Sequence, residues 1–227
     1  MSLGEPSGRR GGFCCDADLE RIGCDGRGWE EDLARLRERG PREHANELLA
    51  AVLNEGVAGA TVIDVGAGVG AVHLALLEAG AARAVDVDAS KEYLAAARSE
   101  AIRRGLGERV EHRYGDIVEL ADGLPPAEVV VADSVVCCYP FVDRLVGALV
   151  TPRPRVVGLA YVSDRWWLRA AMRLMNQWHA IRRDPERWYI HRHATVDRLM
   201  GTAGYEIIHD GGPWYWRVVV YRRAAAA

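Results

Sequence analysis

A glycine-rich turn between a short apolar run and a helical stretch constrains this chain more than any other feature. Thr61-Val62-Ile63-Asp64-Val65 reads as a buried strand, and Val72 to Ala79 reads as a helix. Between them lies Gly66-Ala67-Gly68-Val69-Gly70. Glycines in such a place let the backbone turn tightly and approach a ligand beside a helix N-terminus, where free N–H groups and the helix dipole favour negative charge. Taken alone, Gly66 to Ala71 also satisfies the dinucleotide rule G-x-G-x-x-A. The loop therefore predicts an α/β fold and a bound cosubstrate before it predicts which one.

The rest of the chain repeats the alternation. Ala82 to Val87, Val110 to Tyr114, Val129 to Ala132 and Val156 to Tyr161 are further apolar runs, and Ser90 to Arg104 is a helical pattern. Short strands separated by helices predict a parallel sheet covered on both faces. Two helices precede it, from Trp29 to Arg39 and from Pro41 to Gly56, and are expected to form a lid. Near the end the rhythm changes. Arg165 to Ile181 is a long amphipathic helix with Trp167, Ala171, Leu174 and Trp178 at helical spacing, a stripe expected to face the core, and Ala194 to Ala203 is another helix. Tyr205 to His209 and Trp216 to Tyr221 are then joined by Asp210-Gly211-Gly212-Pro213. A parallel crossover needs about a dozen residues or more, so this connection predicts an antiparallel hairpin.

The 227 residues suffice for one sizeable core, with about 70% of the unfolded surface removable from water. A net charge of −3, a single lysine (Lys91) and no basic run argue against a dedicated nucleic-acid binder. No uncharged apolar run approaches the roughly 18 residues of a membrane span, and the start lacks the apolar core of a signal peptide. Five irregularly spaced cysteines make no disulfide framework. These features predict a cytoplasmic protein without a membrane partner. Residues 1–27 are expected to be a flexible or lid segment and 28–227 a single domain, with lid helices over 28–56 and a cap insertion over 162–193. Cys14, Cys15 and Cys24 match no zinc signature, and no metal is expected.

Two carboxylates keep company with the glycine loop. Asp88 ends the second strand, about twenty residues beyond Gly66, where a carboxylate can accept both hydroxyls of a ribose. Asp116 follows Gly115 at the end of the third strand, where it can meet an adenine amino group or cap the helix starting at Ile117. As a set, VIDVGAGVG, VDASKEYLAAAR, YGD and the closing EIIHDGG…WRVVVYRR resemble the class I S-adenosylmethionine-dependent methyltransferases over residues 42–222. The resemblance implies a Rossmann-like, mostly parallel seven-stranded sheet with a C-terminal antiparallel hairpin. It implies S-adenosylmethionine as cosubstrate and S-adenosylhomocysteine as product. It further implies that Asp64, Gly66, Gly68 and Gly70 line the methionine end, Asp88 holds the ribose and Asp116 contacts the adenine. Asp133, at the end of the fourth strand, joins that set where the substrate would meet the sulfonium, and Arg39 is a candidate for the cosubstrate carboxylate.

Methyl transfer from an activated donor requires alignment, plus removal of a proton when the acceptor is a hydroxyl. The candidates are Tyr139, which can position a substrate or shuttle a proton, and His191 and His193, which alternation aims to one side of an extended segment. Asp133 to Pro140 has a more distant resemblance to magnesium-protoporphyrin-type O-methyltransferases, although Cys138 stands where their histidine would be. The vicinal Cys137-Cys138 is read as a buried pair. The tryptophans and methionines of 162–193 point to a small aromatic or apolar acceptor, methylated at oxygen. A non-methylating, cyclase-type or structural role for a bound cosubstrate is the rival. An NAD-dependent oxidoreductase is a weaker one, since it requires neither the hairpin nor Gly115-Asp116. The sequence leaves the oligomeric state open, a homodimer included.

Overall fold

A computed structural model describes residues 28–182 and 188–225. Seven strands form one sheet: β1 (Thr61–Val65), β2 (Arg83–Asp88), β3 (Val110–Tyr114), β4 (Val129–Asp133), β5 (Val156–Val162), β6 (Tyr205–Gly211) and β7 (Trp216–Arg223). Their order is β3-β2-β1-β4-β5-β7-β6. β1 to β5 are mutually parallel, whereas β7 runs antiparallel to both β5 and β6. The chain order reverses between β1 and β4, and a crevice opens beyond the carboxyl ends of strands at such a switch point.

Helices α1 (Trp29–Arg39), α2 (Glu43–Asn54), α3 (Ala71–Glu78) and α4 (Lys91–Arg103) precede β3. The short α5 (Ile117–Leu120), then α6 (Val142–Val150), α7 (Trp166–Ile181) and α8 (His193–Thr202), follow among the described residues. Helix α6 escapes the sequence reading. Its first turn has no side-chain cap, yet Val142, Leu145, Val146 and Leu149 give it a fully buried stripe.

Alternation along the strands splits the core in two. Val62, Val131, Val156 and Val220 face α2 and α3, while Ile63, Val130, Leu159 and Tyr221 face α6 and α8. Helix α2 is an integral part of the first layer rather than a lid. Its Leu48 and Val52 are fully buried, each worth about 1.5–3 kcal/mol of removed apolar surface. Gly158 on β5 permits this, because a Cβ there would lie 2.8 Å from Leu48 Cδ1 and 3.0 Å from Val52 Cγ2. Helix α1 is fastened to α4 instead. Glu100, fully buried, accepts hydrogen bonds from Arg37, Arg103 and Arg104, and Tyr93 donates to Asp32 at 3.0 Å.

The expected inward stripe of the long helix is not where the spacing put it. Leu168 is its one buried residue, and Leu174 and Trp178 are exposed. Its inner side meets the segment 188–190 through Asn176, whose amide both donates to and accepts from the Trp188 backbone. Two apolar arcs compete on this helix, and the hairpin side takes the arc centred on Leu168.

Candidate functional site

A cavity of about 360 Å³ lies at the switch point, lined by the glycine loop, the ends of β2, β3 and β4, and the first two helices. Hydrogen bonding from Gly66 N–H to the Val87 carbonyl (2.7 Å) holds the loop against β2. Gly66, Gly68 and Gly70 all have positive φ. A Cβ on Gly66 would collide with a methyl of Val135, so the residue type is fixed by space as well as by backbone conformation.

Four carboxylates reach or flank this crevice. Asp88 accepts from the N–H of Gly68 (2.9 Å) and of Ser90 (2.8 Å), one bond to each oxygen. Each oxygen keeps a lone pair for a further donor. Burial, with a lesser push from the Asp86 and Asp64 charges, raises its pKa to about 7 despite those bonds. Asp64 is buried, and its Oδ2 accepts from His73, whose backbone N lies at 3.2 Å and Nδ1 at 3.0 Å. Its Oδ1 has no partner, and burial raises this carboxyl's pKa too. Asp116 caps α5 by accepting from Val118 N–H (2.9 Å) and also accepts from the Tyr139 hydroxyl (2.9 Å). Asp133 ends β4 and accepts from the Ser134 hydroxyl at 3.0 Å.

Ser134 turns the chain into the wall. Its φ of 66° is left-handed, a conformation that costs a non-glycine residue of order 1–3 kcal/mol and clusters at functional sites. Its carbonyl accepts from both Cys137 and Cys138 thiols at 3.3 Å. Cys137 is buried as expected, while Cys138 lines the cavity beside Tyr139. Cys14, Cys15 and Cys24 lie outside the described residues. Among the described residues no group of three or more His, Cys, Asp or Glu side chains could hold a metal ion.

Asp64, Gly66, Gly68, Asp88, Asp116, Asp133 and Tyr139 all line the cavity, while Gly70 starts α3 directly behind it. Besides Gly70, three expected residues do not line it. Arg39 is exposed at the end of α1; Arg35, one turn earlier, and Arg42 line the cavity instead. His191 Nε2 lies 2.8 Å from the Tyr139 carbonyl oxygen and so serves as its donor, bracing the Tyr139 backbone from behind. His193 is held away at the start of α8. Its Nε2 accepts from Asp164 N–H (3.0 Å), its own N–H donates to Asp164 Oδ2 (3.0 Å), and burial lowers its pKa. An imidazole whose acceptor nitrogen is already used is no free base.

Sequence reasoning missed His44 as well as the two arginines. His44 is buried, stacks on Trp216 with ring centroids 4.2 Å apart, and brings Nε2 to 3.2 Å from Asp133 Oδ1, off the line of a hydrogen bond. A histidine next to the apolar stripe of α2 was the available signal, but the ring's neighbours come from strands far along the chain.

These residues fit the cosubstrate that the resemblance implies. The unpartnered, buried Asp64 oxygen suits an ammonium group, and Asp88 offers two acceptors of the spacing a diol needs. Arg35 and Arg42 supply positive charge for a carboxylate at the same end.

Residues 62–149 match a family described as a methyltransferase domain. A ribosomal protein L11 methyltransferase from Serratia proteamaculans is 39% identical over 93 residues, which are 41% of this chain and 31% of that protein. The matches cover 18% to 34% of the length of the curated relatives. The magnesium protoporphyrin IX methyltransferase of Synechocystis PCC 6803, solved with bound S-adenosylmethionine, superposes with a TM-score of 0.67 at 19% identity, covering 92% of this chain and 98% of that one. The cyclase SpnF superposes with a TM-score of 0.63 at 16% identity over 83% of this chain and 85% of that one. Over residues 62–149 the chain thus matches a methyltransferase domain, and its seven-stranded sheet has the fold of the S-adenosylmethionine-dependent methyltransferases on which it superposes.

Proposed function

We propose that this protein transfers a methyl group from S-adenosylmethionine to the oxygen of a small aromatic or apolar molecule. The observation that carries the reading is the cavity itself, which combines an orphaned buried Asp64 oxygen and Asp88 with Val135, Cys138 and Tyr139 in one lining. The cosubstrate supplies a methyl group on positively charged sulfur, already activated for displacement. The protein's work is then to bind, align and exclude water.

Asp64, Asp88, Arg35 and Arg42 fix the donor's position. Tyr139, held by its hydrogen bond to Asp116, lines the cavity and sets the position of an incoming acceptor hydroxyl beside it. Asp133 is the carboxylate nearest the end of β4, with His44 behind it, and takes the proton that the hydroxyl loses as its oxygen gains the methyl. The tryptophans behind Cys138, namely Trp167, Trp188 and Trp216, pack with it on the cluster of Cys137, Val162 and Leu168 and favour a flat or greasy acceptor.

Two other readings have a specific observation behind them. The curated relatives act on ribosomal protein L11 by name, which favours a protein acceptor. The superposition on a cyclase favours a bound cosubstrate that is never consumed. Thermal shift followed by a radiolabel screen separates the three. S-adenosylmethionine or S-adenosylhomocysteine raises the unfolding temperature and NAD does not, and label passes to a small phenolic or apolar hydroxyl compound. Label on ribosomal protein alone sustains the first rival. Stabilisation without transfer to any acceptor sustains the second, and stabilisation by NAD alone overturns the cosubstrate.

A further inference from the structure

Helix α7 carries more exposed apolar surface than any other described element. Trp166 is 75% exposed, Leu174 68%, Trp178 55% and Ile181 77%. At 100° per residue these four fall, with Ala170, Ala171 and the half-buried Trp167, within an arc of about 140° whose edge lies about 60° from Leu168, interrupted by Gln177. Trp214, 63% exposed on the neighbouring hairpin connection, stacks on Trp167 and extends the patch. Contiguous apolar surface of this kind marks an interaction site rather than chance exposure.

The charges say what covers it. From Arg165 to Arg182 every charged side chain is an arginine: Arg165, Arg169, Arg173 and Arg182, with no acid between them. Arg169 and Arg173 flank one edge of the apolar arc and Arg182 the other, its guanidinium 4.6 Å from the Trp178 ring. An apolar arc with tryptophan at its borders and arginine on both flanks matches the chemistry of an anionic lipid surface: acyl chains beneath, phosphates at the rim. A second copy of the same face would bring four arginines against four, which opposes self-pairing.

We infer that α7 lies in the plane of an anionic membrane surface and docks the protein there peripherally. Among the described residues no helix is long and apolar enough to cross a membrane, and interfacial docking requires none. The inner side of α7 joins Cys137 through Leu168, so docking brings the segment that carries Tyr139 toward the lipid. The inference stands independently of methyl transfer, since it concerns only the outer face of the helix.

Co-sedimentation of the full chain with vesicles tests it. The protein partitions onto phosphatidylcholine vesicles containing about a third phosphatidylglycerol, not onto phosphatidylcholine alone, and salt weakens the binding. Trp166→Ala combined with Ile181→Ala lowers the partition coefficient about tenfold, by the apolar area removed, and leaves the unfolding temperature unchanged. Arg169→Glu with Arg173→Glu lowers it comparably without touching the apolar arc. Absence of binding to either vesicle, equal binding to both, or binding indifferent to both variant pairs overturns the inference. So does a concentration-dependent dimer, seen by light scattering, that the α7 variants dissolve while vesicles bind nothing.

Discussion

Tyr139 donates its hydroxyl proton to Asp116 across 2.9 Å, tying the loop beyond β4 to the cap of α5. Burial, reinforced by the Asp116 charge, raises the phenol's pKa well above its ordinary value. Tyr139 therefore stays protonated through the working range and orients rather than accepts protons by ionising. Tyr139→Phe is expected to lower kcat more than it weakens cosubstrate binding, and to cost about 1–3 kcal/mol of stability because a buried carboxylate oxygen loses a donor. The rate–pH profile should keep its shape. A limb that vanishes in the variant would make the phenol an acid–base group after all.

Asp88 titrates near the working pH, its pKa raised to about 7 in the free protein. Hydroxyl donors favour its ionised form, so affinity for S-adenosylhomocysteine should rise as the pH climbs through about 7. The stability of the unliganded fold runs the other way. Between the carboxyl's ordinary value of 3.8 and about 7 the folded state holds a proton that the unfolded state has lost, so stability falls as pH rises through that window. Asp88→Asn should flatten both dependences and weaken binding about tenfold to a hundredfold. Calorimetric titration at several pH values, with parallel thermal melts, reads both.

Arg35 and Arg39 lie one turn apart on α1, yet only Arg35 lines the cavity. Arg35→Ala is expected to weaken cosubstrate binding about tenfold through loss of a charge-assisted contact, and Arg39→Ala to leave it unchanged. Equal effects in equilibrium binding would put the carboxylate elsewhere.

Arg217 is buried and donates to Asp197, Asp210 and the Tyr161 hydroxyl, joining α8, β6, β7 and β5. Removing one partner from such a cluster leaves the others desolvated and uncompensated. Arg217→Ala should cost about 3 kcal/mol in denaturant titration, with little change in the affinity of the distant cosubstrate site. A loss below about 0.5 kcal/mol would class the cluster with ordinary surface ion pairs.

Much of the frame is legible in the residues because it rests on local patterns. Val62 to Val65 and Val129 to Ala132 are apolar runs too short for helices, and the four residues Asp210 to Pro213 leave no room for a parallel crossover. The glycine loop and Asp88 are legible for the same reason, since strand, turn and helix are neighbours in sequence. Arg35, Arg42 and His44 are not. Their place depends on how α1 and α2 roll against strands read much later in the chain, and no spacing rule encodes that rotation. His191 and His193 show the converse error. Imidazole chemistry suggested a base, but Asp164 and the Tyr139 carbonyl use the ring nitrogens, and only the packed chain reveals those partners. On α7 the periodicity was real, while the choice between two apolar arcs belonged to the hairpin.

The absent side chain at Gly158 carries a consequence for the shape of the crevice. Helix α2 rests on that bare stretch of β5 and brings Arg42 and Ala45 to the crevice, with His44 behind Asp133. A methyl group there would lift the helix by a few tenths of an ångström, widening the chamber without altering a single residue that lines it. The width of the crevice thus depends on a position beneath its floor that does not line it.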